Sequence, residues 1–196
     1  MRNRLILLSA VLLVTAAAYM LIDAKGPASF IFPYRATKLA ALVLVGAALS
    51  VATVLFQTIT GNRILTPSLM GFDALYVMIL SVLVFGLGTS GYAALPQWQL
   101  FAINVAAMSV LGLLLFVLLM RLAQGDMVRM VLTGVMVGLL IRSLTEFVQR
   151  LIDPTDFQMV QSMSFARFTQ IDRLLLAISA VAIAIGIAGA WALRHR

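Results

Sequence analysis

Arg142 and Glu146 stand four residues apart inside an apolar run at about 128–149. On a helix that spacing puts both side chains on one face. Charges within such runs are costly in lipid and mark a functional region by default. Two readings fit the pair: mutual neutralisation inside a helix bundle, or a polar patch on a solute pathway. Asp73 lies near the start of a second apolar run, where a carboxylate caps the helix or reaches the water. Asn104, inside a third run, is of the type that hydrogen-bonds between helices. His195 is the only histidine and sits in the terminal Arg-His-Arg, which reads as a charged tail. No Ser/His/Asp set or carboxylate pair is spaced for nucleophilic or acid–base work. No glycine loop is present to cradle a nucleotide phosphate. One histidine cannot hold a haem between two axial histidines. The chain has no cysteine, which excludes disulfides and thiolate metal sites. The sequence therefore points away from an enzyme and from a resident cofactor or metal.

The elements that must position these residues follow from composition. Of 196 residues, 63% are hydrophobic and 11% charged, whereas a soluble domain carries about 25% charged residues. The excess of apolar residues is too large for a buried core and defines an integral membrane protein. The net charge of +7 is scattered, with no basic stripe, so it reads as membrane anchoring rather than nucleic-acid binding. Six apolar segments are visible, at about 5–22, 39–60, 68–87, 98–120, 128–149 and 173–193. Each is near the roughly 20 residues needed to span a bilayer. Backbone groups in lipid must be satisfied within the segment, so each is predicted to be a helix. The first run is longer than the roughly 7–15 residues of a signal-peptide core and is read as a span. The expected fold is an all-α polytopic membrane protein with one transmembrane domain over 1–196.

An even number of spans puts both termini on one side. That side carries Arg2, Arg4, Arg63, Arg121, Arg129, Arg194 and Arg196; the other carries Lys25, Arg35, Lys38, Arg150, Arg167 and Arg173. The charged termini favour an N-in, C-in orientation. The longest polar segment, 150–173, contains Asp153 followed by Pro154, an N-cap and first-turn signal. It predicts a short external helix at about 153–166, lying at the membrane face. Between the second and third runs lies "NRILTPSLMG", 62–71, with Thr66 as a candidate N-cap and Pro67 at the first turn of span three. Small residues at helical spacing around Gly46, Gly134 and Gly138, and Gly186 and Gly189 predict close helix packing.

Residues 35–71, "RATKLAALVLVGAALSVATVLFQTITGNRILTPSLMG", carry a family pattern. Val45, Gly46, Ala47, Ala48, Leu49, Gln57, Asn62, Pro67 and Gly71 match it in register. The segment resembles the FecCD-type permeases of the iron–siderophore and cobalamin ABC importers. The stretch 130–154 resembles that family's fifth span. The resemblance implies a permease that receives a ferric chelate from a periplasmic or surface binding protein and passes it to the cytoplasm. ATP, with Mg, would be hydrolysed on separate ATPase subunits. A second permease subunit, identical or different, would complete the pathway. The location implied is the bacterial inner (cytoplasmic) membrane.

The same resemblance carries roles to particular positions. Arg35 and Lys38 fall on two family arginines that help dock the binding protein. The turn Gln124, Gly125, Asp126 and Met127 falls on the cytoplasmic gate. The fifth span lines the pathway in the family, which directs attention to Arg142 and Glu146. An anionic ferric siderophore would be attracted by a cation at Arg142. Departures from the family pattern at Arg63, at 72–76 and at 160–167 suggest a siderophore-type branch. The matched pattern introduces about ten spans in the family and six here. A truncated product, half of a split permease and a six-span protein with its own role all fit, and the first is favoured. The alternative to an importer subunit is a stand-alone six-span protein, either an ion-coupled carrier using Arg142, Glu146 and Asp73 or a membrane scaffold.

Overall fold

A computed structural model describes residues 2–23, 27–169 and 171–193. The described residues form seven α-helices: α1 (Arg2–Leu21), α2 (Ala28–Thr60), α3 (Phe72–Ala94), α4 (Gln97–Ala123), α5 (Met127–Leu151), α6 (Pro154–Met163) and α7 (Arg173–Leu193). A 3-10 turn, Pro67–Met70, precedes α3. All but α6 are long and apolar enough to cross a membrane, so the fold is all-α and polytopic, with six candidate spans. The proposed tail at His195 and the cation Lys25 lie outside the described residues.

The spans differ from the apolar runs at their ends. α2 is 33 residues long and begins at Ala28, well before its apolar run. Arg35 and Lys38 therefore lie inside a helix and not in a loop ahead of it. Hydropathy marks the part of a helix that meets lipid, and the helix itself continues while its backbone bonds do. Span three starts at Phe72 and not near 68, because Gly71 adopts a left-handed conformation (φ 88°) that breaks the chain between the 3-10 turn and α3. Thr66 precedes Pro67 as expected but makes no side-chain capping bond. Asp153 also takes the N-cap position of α6 without a side-chain bond.

Contacts gather into two units, 1–49 with 168–196, and 50–167. In the second, Phe56 at the end of α2 packs edge-to-face on Phe72 and Phe116. Around it Leu65, Met70, Leu75, Leu115, Leu119 and Met130 form the main core. A smaller core joins Leu80, Val84 and Tyr92 of α3 to Ile152 and Val160. Val160 is fully buried, so α6 is docked on α3. In the first unit the second half of α1 is tied to α2 through Arg35.

The glycine expectations divide. Gly134 and Gly138 of α5 are at close crossings: a Cβ on Gly134 would overlap Met70 Sδ, and one on Gly138 would lie 3.3 Å from the backbone of Gly71. At Gly46, Gly186 and Gly189 a Cβ would meet nothing within 4 Å. Among the described residues, the close crossings are therefore at Gly134 and Gly138.

Candidate functional site

The loop 61–71 is held by its own polar residues. Gln57 Nε2 donates to the Arg63 carbonyl at 2.7 Å. Asn62 Oδ1 accepts from the Ile64 N–H at 2.9 Å, a local turn typical of asparagine. Pro67 starts the 3-10 turn, and Gly71 ends it with its N–H on Ser68 O. Leu65 and Met70 anchor the segment in the core at 2% and 1% exposure. The polar bonds and the turn use Gln57, Asn62, Pro67 and Gly71, which carry the sequence pattern.

The turn does not sit at the end of α5. Met70 crosses Gly134, and Gly71 crosses Gly138. At 1.5 Å per residue these crossings lie about 10–16 Å beyond the start of α5. The polar segment is thus drawn in beside α5, and α3 begins part-way along it.

That stagger brings Asp73 to Arg142. Arg142 Nη2 donates to Asp73 Oδ2 at 3.2 Å and to Oδ1 at 3.5 Å. Arg142 is about 22 Å along a helix of about 37 Å, near the middle of a span. The side chains are 50% and 51% exposed. The expectation that Arg142 and Glu146 neutralise each other is corrected: the partner of Arg142 is across the helix interface. An i,i+4 pair is available to both residues, but the stagger places a carboxylate nearer the guanidinium. Glu146 has no cation within 4 Å among the described residues. It lines an open cavity of about 590 Å³ with Gln149, Arg150, Phe157 and Gln161.

Further along the same interface, Gln149 Nε2 donates to Ser81 Oγ at 3.1 Å, and Ser81 is fully buried. Beyond it α3 is interrupted at Gly88 (φ 66°). Asp156 of α6 accepts from the Thr89 N–H at 3.3 Å and from the Thr89 hydroxyl. The carboxylate thereby satisfies a backbone donor that the break in α3 leaves exposed. Three polar contacts, at Asp73, Ser81 and Thr89, thus join α3 to α5 and α6. Sequence reasoning singled out Arg142, Glu146 and Asp73 but missed Ser81, Gln149, Thr89 and Asp156. The hint was present in Gly88-Thr89, a glycine followed by a hydroxyl within an apolar run. Asn104 Nδ2 donates to Leu100 O of its own helix at 2.8 Å, so that bond is not interhelical.

The turn between α4 and α5 is tightly capped. Gln124 and Gly125 both take positive φ, 50° and 80°. Asp126 accepts from the N–H groups of Val128 and Arg129 at 2.8 and 3.2 Å. Arg129 Nε lies 3.6 Å from Asp126 Oδ2, and its Nη1 donates to Gln124 Oε1 at 3.3 Å. The Met127 side chain lies outside the described residues.

In the other unit, Arg35 is occupied. Its guanidinium donates to the carbonyls of Tyr19, Ile22 and Asp23 at 2.7, 2.7 and 2.8 Å, and lies 3.4 Å from that of Met20. These are carbonyls that the end of α1 leaves without helical partners, and a cation there also complements the helix dipole. Lys38 has no such partner. Its ammonium lies 4.3 Å from the centroid of the Tyr34 ring.

Six helices long and apolar enough to cross a membrane define a multi-pass membrane protein. The chain belongs to the FecCD transport family, whose pattern matches residues 5–196. It is 36% identical over 178 residues to the petrobactin import system permease protein YclO of Bacillus subtilis (strain 168), covering 90% of this chain and 56% of that one. It is 31% identical over 138 residues to the petrobactin import system permease protein FatC of Bacillus anthracis, covering 70% of this chain and 39% of that one. The chain thus spans about half the length, or less, of these curated relatives. No solved structure matches it significantly.

Proposed function

We propose that this chain forms the membrane-spanning permease, or part of it, of an ABC importer for a ferric siderophore, with petrobactin the first cargo to test. The observation that carries the reading is the Asp73–Arg142 pair, half exposed at mid-span. Charged groups facing hydrocarbon at that depth are costly, so such residues face a bundle interior or a water-filled path. A second permease subunit covering this face of α5 would enclose a polar path running past Arg142, Glu146 and Gln149. Asp73 cancels the charge of Arg142, so attraction of an anionic chelate by that cation requires the pair to part.

The remaining roles extend the same reading. ATPase subunits would bind on the side of the turn Gln124–Met127, which would act as the gate. The binding protein would approach the opposite side, near Arg35 and Lys38. Because Arg35 is committed to α1, Lys38 carries the accessible charge of the two. The protein would lie in the cytoplasmic membrane with both ends of this chain inside.

The test is uptake of ferric petrobactin by the intact transporter in proteoliposomes with ATP inside. Arg142→Met is expected to lower uptake more than it lowers stability. Equal losses of the two would make Arg142 structural. Uptake that needs an ion gradient and no ATP would replace the importer with a carrier.

A further inference from the structure

A cavity of about 440 Å³ lies beside the first half of α2, lined by Lys38, Arg173, Ser29, Tyr34, Thr37 and Thr169, with Phe30 and Phe168 among its apolar walls. Its shape is held by built contacts. Tyr34 stacks on Phe30 at 5.9 Å, and its hydroxyl donates to Thr169 O at 3.3 Å, which ties the segment before α7 to α2. Lys38 is steered over the Tyr34 ring. Neither Lys38 nor Arg173 has a carboxylate within 4 Å among the described residues. Asp172, next in sequence to Arg173, is turned to the N–H groups of Leu174 and Leu175. The cavity therefore holds two unneutralised cations.

Their level in the membrane narrows the ligand. Lys38 immediately precedes the apolar run of α2, and Arg173 begins the run of α7. Each therefore marks the end of an apolar run, the level at which lipid phosphates are expected. Tyr34, Phe30 and Phe168 have the aromatic character of that boundary.

We propose that the cavity is a binding site for the phosphate of an anionic phospholipid, with Lys38 and Arg173 as its two charge partners. Basic pockets between transmembrane helices are suited to such headgroups. The site shares Lys38 with the docking role proposed above, and the acidic-peptide arm of the test separates the two. A lipid held there would bridge the start of α2 to the start of α7.

The experiment uses the full chain purified in detergent, exchanged against phosphatidylglycerol or phosphatidylcholine and analysed by native mass spectrometry. Phosphatidylglycerol is expected to be retained preferentially. Each cation near an anionic headgroup is worth about fivefold in affinity, so Lys38→Gln with Arg173→Gln should reduce the preference about thirtyfold. Arg129→Gln, beside the α4–α5 turn and not among the cavity's residues, should leave it unchanged. Equal retention of the two lipids, or equal effects of the double variant and Arg129→Gln, would overturn the proposal. Should the double variant fail to fold, Lys38→Arg with Arg173→Lys must keep the preference, and its loss there would also overturn it. Displacement of the lipid by inorganic phosphate would identify a general phosphate site instead of a lipid site. Displacement by an acidic peptide would identify a protein-docking site and refute the lipid assignment.

Discussion

Gly71→Ala is the sharpest test of the stagger that creates the mid-span pair. Gly71 holds φ 88°, and a Cβ there would lie 2.7 Å from the Cα of Gly138. The left-handed conformation alone costs a non-glycine residue about 1–2 kcal/mol. Carbon atoms in contact sit about 3.5–4.0 Å apart, so the turn must retreat from α5 by about 1 Å. The obstacle is helix backbone, and no rotamer change relieves it. Overpacking of this kind costs about 1–3 kcal/mol. Together the two effects place Gly71→Ala at about 2–5 kcal/mol less stable. Gly86→Ala is the reference: it lies in α3, and its Cβ would meet nothing within 4 Å. There alanine should be neutral or stabilising by up to about 1 kcal/mol. The assay is unfolding by SDS in mixed micelles, followed by tryptophan fluorescence. Gly71→Ala should unfold at a clearly lower SDS fraction, and Gly138→Ala, with 3.3 Å contacts and no positive φ, should fall between. A Gly71→Ala variant within about 0.5 kcal/mol of the parent would refute the close crossing and the depth inferred for Asp73.

Other substitutions probe the polar contacts one at a time. Asp73→Asn and Arg142→Met each leave one charge of the mid-span pair without its partner. Each should destabilise, and the double variant should recover part of the loss in a double-mutant cycle. Asp156→Ala removes the acceptor for the Thr89 N–H and hydroxyl, at a cost of about 1–3 kcal/mol. Hydrogen exchange should then rise at Thr89 and across α6, while Asp153→Ala, which removes no capping bond, should change little. Arg35→Gln should release the end of α1, raising exchange or proteolysis around Tyr19–Asp23. Arg35→Lys should rescue it only in part, because a point charge cannot reach several carbonyls at once.

Much of the fold is legible in the sequence. Six runs of apolar residues near spanning length must be helices, since lipid offers no partner to a free N–H or C=O. The order of spans and the separate helix after Asp153-Pro154 follow from composition and turn chemistry alone. Gln57, Asn62, Pro67 and Gly71 were recognisable as a pattern, and their local bonds explain why those residue types occur there. Hydropathy could not show where α2 begins, because the helix continues through Arg35 and Lys38 on contacts with distant carbonyls and a ring.

The partners of the charged residues were decided by tertiary structure. Arg142 had a carboxylate one turn away in Glu146, yet bonds Asp73, 69 positions distant. Asp156 holds Thr89 across 67 positions. Periodicity specifies which face of a helix a residue occupies. It carries no information on how far one helix is slid along another, and that axial offset selects the pairs. Here it is set by the contact of Gly71 with Gly138, two residues whose only chemical contribution is the absence of a side chain.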